Sequence, residues 1–379
     1  MRHSNTLHGL DLLRCVAAYV LRRSTGATAG PYRLWVEPTN ACNLACPMCP
    51  TGRMGETGRG FMDWDLFQRI VDDVSRRTAE MVLHHRGESL LHPRIGDMIQ
   101  YAHTRGLKTI LHTNATLLNE EKSRTLLDAG LDLVSFSVDG WDRESYECVR
   151  VGSDFDLTVA QITDFLHRRA SGAQHGPQVQ IEVIDFVEGN SPGRRRIRET
   201  WRQRFSHDGP DRIVVKGPHN WGGVIASNRY GDAVCRQRCP VPCTFPWFSL
   251  TVFWNGDVVP CPHDFFGKLR IGSAREQSIA EIWRGKALRE LRRQLVRSQC
   301  PCADCDMQRR RAITGIPLAA AREMIRRVLS KGQYCSVKGG RGSSRADLLV
   351  PDAARQEARP PNGGPGDEAL TGPAPCHSG

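Results

Sequence analysis

Between Arg33 and Lys216 the sequence alternates six short β-like runs with five amphipathic stretches, and this alternation leaves few folds open. The runs are Arg33 to Glu37, Met81 to His84, Lys108 to His112, Leu133 to Ser137, Val179 to Phe186 and Arg212 to Val215. Helices are predicted near Asp65 to Arg77, Ile95 to Thr104, Glu120 to Ala129, Asp156 to Ala170 and Arg194 to Phe205. A helix between two strands is a crossover, so consecutive strands run parallel. Six such units suit an incomplete βα barrel, whose chemistry sits at the C-terminal ends of the strands.

The loop after the first run reads Glu37-Pro-Thr-Asn-Ala-Cys42-Asn-Leu-Ala-Cys46-Pro-Met-Cys49-Pro. It therefore falls at the barrel mouth, where catalytic residues belong. Three thiolates spaced C-x3-C-x2-C can hold three irons of a cubane and leave the fourth iron open to a ligand's amine and carboxylate. The competing reading is tetrahedral zinc, completed by His84 or His85. Fourteen cysteines grouped at short spacings, with no signal peptide, point to metal in a reducing, cytoplasmic compartment rather than to disulfides.

The spacing lies inside Thr39-Asn40-Ala41-Cys42-Asn43, and here the chain resembles the radical S-adenosylmethionine superfamily. The resemblance implies a [4Fe-4S] cluster on Cys42, Cys46 and Cys49. It also implies reductive cleavage of S-adenosylmethionine and a 5′-deoxyadenosyl radical that takes a substrate hydrogen. An electron donor such as flavodoxin or ferredoxin is then expected. Other positions carry over as expected cofactor contacts. Gly87 and Glu88, in Arg86-Gly87-Glu88-Ser89, match a Gly-Gly-Glu-Pro-like turn with Ser in place of Pro. Thr113 and Asn114 end the third run, and Ser137 ends the fourth before Asp139-Gly140. Arg150 matches the arginine that pairs with the methionine carboxylate.

From Cys235 to Arg311 the texture changes. A hairpin is predicted at Asn255-Gly256-Asp257, between Phe248 to Trp254 and Val258-Val259, followed by a helix from Ser278 to Leu295. Cysteines stand at 243 and 261 around the hairpin and at 300, 302 and 305 beyond the helix; four of them can hold a second cubane or a zinc. The pattern C-x12-G-x4-C followed by C-x2-C, with Ile279-Ala-Glu-Ile-Trp283 between, resembles the SPASM and twitch branch of the superfamily. No cysteine lies between Asp306 and Tyr334, so one auxiliary [4Fe-4S] cluster is implied, on Cys243, Cys261, Cys302 and Cys305. In the alternatives Cys239 replaces Cys243, or Cys300 replaces Cys302. A thiol such as Cys235 or Cys239 is the candidate hydrogen-atom donor. Cys15, Cys148, Cys335 and Cys376 read as inert buried cysteines.

The fold class expected is α/β: a partial (β/α)6 TIM-like barrel with a small C-terminal cysteine-rich SPASM/twitch domain. The divisions are a leading segment at 1–32, the barrel at 33–220, the auxiliary domain at 235–311 and a Gly-, Pro- and Ser-rich disordered tail at 336–379. Leu10 to Leu21 reads as an amphipathic leading helix, and no apolar run reaches membrane-spanning length.

Net charge is +11, but the arginines lie mostly on helix-like stretches (Arg76, Arg77, Arg168, Arg169, Arg292, Arg293, Arg326, Arg327) and read as solvated faces. Arg194 to Arg196 and Arg309 to Arg311 are the best candidates for an acidic partner. No aromatic-basic interleaving marks a nucleic-acid partner, and a non-catalytic zinc- or nucleic-acid-binding protein is the alternative of another class. The substrate expected is a small polar intermediate, sugar or aminocyclitol-like, undergoing oxidation or epimerisation; a ribosomal peptide is the runner-up. With about 32 residues before the first strand, a peptide would need a separate carrier. His84, His85, His112, His219 and Trp221 are candidate pocket residues, acting as proton acceptors or stacking surfaces.

Overall fold

Strand register in the computed structural model decides which residues face the barrel and which face the helices. The structure describes residues 4–24, 28–54, 58–172, 176–186, 192–205, 208–224, 242–297, 299, 302 and 305. The readings for Cys235, Cys239, Cys300, Cys335, Cys376, Arg309 to Arg311, Arg326, Arg327 and the tail lie outside these residues.

Helix α1 (Ser4–Val20) leads into β1 (Arg33–Val36), then α2 (Trp64–Val74), β2 (Glu80–Leu83), α3 (Ile95–Thr104), β3 (Lys108–Thr113), α4 (Glu120–Asp128) and β4 (Leu133–Ser137). Two helices follow, α5 (Arg143–Val149) and α6 (Phe155–Ser171), then β5 (Gln178–Ile184), α7 (Arg194–Arg204) and β6 (Arg212–Lys216). Strands β1 to β6 pair in sequence order, all parallel, as the alternating pattern requires. Side-chain caps set the helix starts: Asp63, Asn119, Asp142 and Asp154 each accept a backbone N–H two or three residues inside their helices. The short α5 escapes a periodicity reading because it has only two turns, yet its Asp142 and Ser145 form a capping box.

Residues pair as Leu34 with Met81, Ile110 with Leu133, His112 with Ser135, and Ser137 with Glu182. Since side chains alternate faces along a strand, Leu34, Val36, Met81, Leu83, Leu111, Val134, Phe136, Ile181 and Val183 all share the helix-facing core. The opposite parity carries Trp35, His84, His112, Ser137, Glu182 and Lys216 into the barrel interior. A mostly apolar interior carrying a few placed polar and ring side chains is one that can hold a ligand rather than a packed core.

Among the described residues, the cysteine-rich region adds its strands to the barrel sheet. Helix α8 (Phe245–Phe248) feeds β7 (Ser249–Val252), which pairs in parallel with β1, and β8 (Asp257–Val259) and β9 (Gly272–Ser273) continue antiparallel from it. Among the described residues the result is one nine-stranded sheet running β6-β5-β4-β3-β2-β1-β7-β8-β9. The hairpin turns at Gly256, whose φ of 95° suits glycine. The predicted single helix from Ser278 to Leu295 is two, α9 (Ile279–Arg284) and α10 (Lys286–Val296), because Gly285 is extended (φ −64°, ψ 160°). That break lets α10 bury Leu288, Leu291 and Leu295 on the core.

The leading helix packs here too. Tyr19 Oη donates to Pro242 O (2.9 Å) and Trp247 Nε1 to Arg23 O (2.9 Å). Arg292, read from sequence as solvated, is fully buried; its Nε donates to Pro246 O (2.8 Å) and its guanidinium lies 4.4 Å from the Trp283 ring centroid. Cys148 is not an inert buried thiol: it is half-buried and disulfide-bonded. Among the described residues no helix is long and apolar enough to cross a membrane.

Candidate active site

A cavity of about 420 Å³ opens at the C-terminal ends of the parallel strands. It is lined by Cys42, Cys46 and Cys49, by Gly87, Glu88, Thr113, Asn114, Ser137 and Arg150, and by His84, His85, His112, His219 and Trp221. Residues scattered over about 180 positions of sequence therefore meet in one place.

The first cysteine loop is held by its own polar residues. Asn40 Nδ2 donates to Gly58 O (2.9 Å) while its Oδ1 accepts from Gly60 N (2.8 Å), and Thr39 Oγ1 donates to Gly60 O (2.7 Å). Asn114 Nδ2 donates to Asn43 Oδ1 (3.1 Å), tying the loop to the end of β3, and Ala45 N donates to Val151 O (3.0 Å), tying it to the turn after α5. The Thr-Asn-x-Cys-Asn pattern thus has a structural use for three of its five residues.

Burial pushes the Cys42 thiol up to about 11, with the neighbouring Glu88, Cys49 and Cys46 adding to the rise. Burial raises Cys46 also, against the pull of Arg150. Three thiols within electrostatic reach of one another could hold a cationic iron centre as thiolates. Among the described residues no three His, Cys, Asp or Glu side chains close around a single-ion position.

Glu88 is buried and doubly employed. Thr113 Oγ1 and Leu90 N donate to its Oε1 (2.7 and 2.9 Å), and Asn114 N donates to Oε2 (2.8 Å). Burial nevertheless raises its pKa. Arg150 pairs with the buried Asp139 inside the cavity, and its Nε makes no hydrogen bond within the described residues. Burial also raises Asp139, partly offset by Arg150.

On the floor, His84 and His112 stack at 5.5 Å, with Trp35 6.0 Å from His112. Burial drives His112 down to about 4, and holds His84 well below the usual imidazole range with help from His112 and His85. Both rings are neutral stacking surfaces near pH 7, and weaker proton acceptors than the sequence led one to expect. Beside them Lys216 Nζ donates to Glu182 Oε2 (2.7 Å). Sequence reasoning missed Trp35, Glu182, Lys216 and His263. The signal for Glu182 was present in the polar alternation of Gln178, Gln180 and Glu182.

Cys261 is pushed well up by burial and by neighbouring Cys243 and Cys305, and Cys305 N donates to Cys302 O (3.1 Å). These four thus gather beside the hairpin that joins β1. Residues 36–185 match the Radical SAM superfamily profile, and residues 243–306 match the iron–sulfur cluster-binding SPASM domain.

The chain carries a radical SAM domain followed by a SPASM domain.

The radical SAM domain implies a [4Fe-4S] cluster and S-adenosylmethionine, and the SPASM domain implies auxiliary iron–sulfur clusters. The tungsten-containing aldehyde ferredoxin oxidoreductase cofactor-modifying protein of Pyrococcus furiosus is 28% identical over 291 residues, 66% of this chain and 80% of the relative. The PqqA peptide cyclase of Rhizobium meliloti is 23% identical over 283 residues, 67% of this chain and 73% of the relative. A solved structure, BtrN in complex with AdoMet and 2-DOIA, has a TM-score of 0.48 and 18% identity, covering 73% of this chain and 92% of that one.

Proposed function

We propose that this radical SAM/SPASM enzyme oxidises or epimerises a small polar substrate bearing hydroxyl and amino groups, of the sugar or aminocyclitol kind. The observation that carries the proposal is the floor of the cavity. Glu182 offers a carboxylate to an ammonium or hydroxyl, Lys216 a cation to a hydroxyl oxygen, and the stacked His84, His112 and Trp35 rings an apolar wall. Alternating polar groups and ring faces are what a polyol with C–H faces binds.

Cys42, Cys46 and Cys49 would hold the first cluster, and Cys243, Cys261, Cys302 and Cys305 the second. When bound, the first cluster with S-adenosylmethionine supplies a 5′-deoxyadenosyl radical that removes a hydrogen atom, and the second supplies a one-electron acceptor. Arg150, paired with Asp139 and holding a spare Nε–H, would receive the methionine carboxylate. Gly87 and Glu88 would face its amine, and Thr113, Asn114 and Ser137 the nucleoside. A flavodoxin or ferredoxin would deliver the starting electron. The second reading, a ribosomal peptide substrate, draws on the relative named as a PqqA peptide cyclase.

The test is reduced, reconstituted protein with S-adenosylmethionine, scored for 5′-deoxyadenosine with a panel of amino sugars, inositols and peptides. Stimulation by an amino polyol, lost in Glu182→Gln through a raised KM, is expected. Stimulation by peptides alone, or no 5′-deoxyadenosine at all, would overturn the proposal.

A further inference from the structure

Neither His85 nor Arg86 is a thiol or belongs to a cysteine motif, yet together these two residues after β2 touch both cysteine regions. Toward the first loop, Arg86 Nε and Nη2 donate to Glu37 Oε1 and Oε2, each at 2.6 Å. Glu37 opens the segment that carries Cys42. The Arg86 carbonyl accepts from Thr51 Oγ1 (2.6 Å), which in turn lies 3.1 Å from Cys49 Sγ.

Toward the second region, Arg86 Nη1 donates to Phe265 O (3.3 Å) and the guanidinium lies 3.8 Å from the Phe253 ring centroid. His85 Nε2 donates to the carbonyl of Pro262 (2.8 Å), the residue after Cys261, and stacks on Phe253 at 5.3 Å. Glu37 completes the frame, since its Oε2 also accepts from Trp254 N (3.0 Å) at the hairpin tip. All three side chains are buried. A two-pronged guanidinium–carboxylate pair fixes orientation as well as distance, which a lysine does not.

We propose that Arg86 is a positioning residue: forked onto Glu37 and anchored on the backbone at Phe265, it joins the Cys42–Cys49 loop and the Cys261 loop into one rigid unit. The two cysteine sets are then placed relative to each other by a buried ion pair and not by the sheet alone. The consequence for two iron–sulfur clusters rests on the ligand assignment proposed above, whereas the mechanical tie does not.

Hydrogen exchange on reconstituted protein separates the two. The proteins are wild type, Arg86→Lys, and Glu37→Gln/Arg86→Gln, which leaves no unpaired buried charge. In the double variant, exchange should quicken roughly tenfold or more in both the 38–54 and 253–269 segments. Arg86→Lys should quicken both to a smaller extent. It also supplies the answer if the double variant fails to fold, because it keeps the charge and loses the fork. A purely local role would quicken only residues 84–92, and acceleration confined to that stretch, or to one cysteine loop, overturns the tie. Iron content is the independent readout: a wild-type protein without iron refutes the cluster assignment while leaving joint exchange interpretable.

Discussion

Replacing Gly87 by alanine should damage the site more than any comparable change on the same cavity wall. A Cβ at Gly87 would stand 2.4 Å from Ala41 O, 2.5 Å from Thr39 O and 2.9 Å from the Asn40 carbonyl carbon. All three are backbone atoms of the first cysteine loop, so no side-chain rotation relieves the clash. Restoring ordinary carbon–oxygen contact near 3.3 Å requires the two chains to part by about 0.9 Å. That separation weakens the bond from Glu88 N to Ala41 O, now 2.8 Å.

Overpacking of about 1–3 kcal/mol plus a hydrogen bond of about 1 kcal/mol totals about 2–4 kcal/mol. For a domain of this size the melting midpoint should then fall by about 3–6 °C. A shift approaching 1 Å in a loop that positions reacting groups should also slow 5′-deoxyadenosine formation about 10²-fold. Thermal melts, iron content and the cleavage rate are read against Gly52→Ala, on the same cavity, whose Cβ would meet nothing within 4 Å. If the two variants melt alike and cleave S-adenosylmethionine alike, close backbone approach is not what position 87 provides.

Cys42→Ala, Cys46→Ala and Cys49→Ala should each abolish 5′-deoxyadenosine and lower iron from about eight to about four per chain; retained cleavage in the triple variant would refute the assignment. Cys261→Ser should lose about four irons yet keep some cleavage while blocking product turnover, as seen by counting 5′-deoxyadenosine against product. Stability should fall as pH drops from 6.5 toward 4, because unfolded His112 takes up a proton that the folded site, with its pKa near 4, refuses. This loss is on the order of 3 kcal/mol, read as the urea midpoint against pH, and His112→Asn should flatten it. A second loss should follow between pH 4.5 and 2, where Glu37, held down to about 2 by Arg86 and His85 against its burial, is still ionised when the unfolded carboxyl is not.

The parallel order of β1 to β6 was legible because it follows from alternation alone: a crossover helix leaves consecutive strands no other arrangement. The radical SAM domain was equally legible, since its motif lies within one loop. Helix breaks and floor residues were less so. Gly285 sits in a stretch whose apolar spacing continues through it, and only packing of α10 against the core selects the extended backbone there. Arg292 has the composition of a surface residue and becomes a core residue because three backbone carbonyls and the Trp283 ring receive it.

Sequence by itself determined the radical SAM and SPASM domains and the parallel strand order, because these follow from motif spacing and from the alternation of strands and helices. Tertiary structure decided the rest. It put β7 beside β1, made Glu182 and Lys216 neighbours across β5 and β6, and joined Glu37 to Arg86 and Arg86 to Phe265. Those contacts span 34 to 216 residues of chain, and what brings them together is strand register and the burial of charge, which no local spacing records.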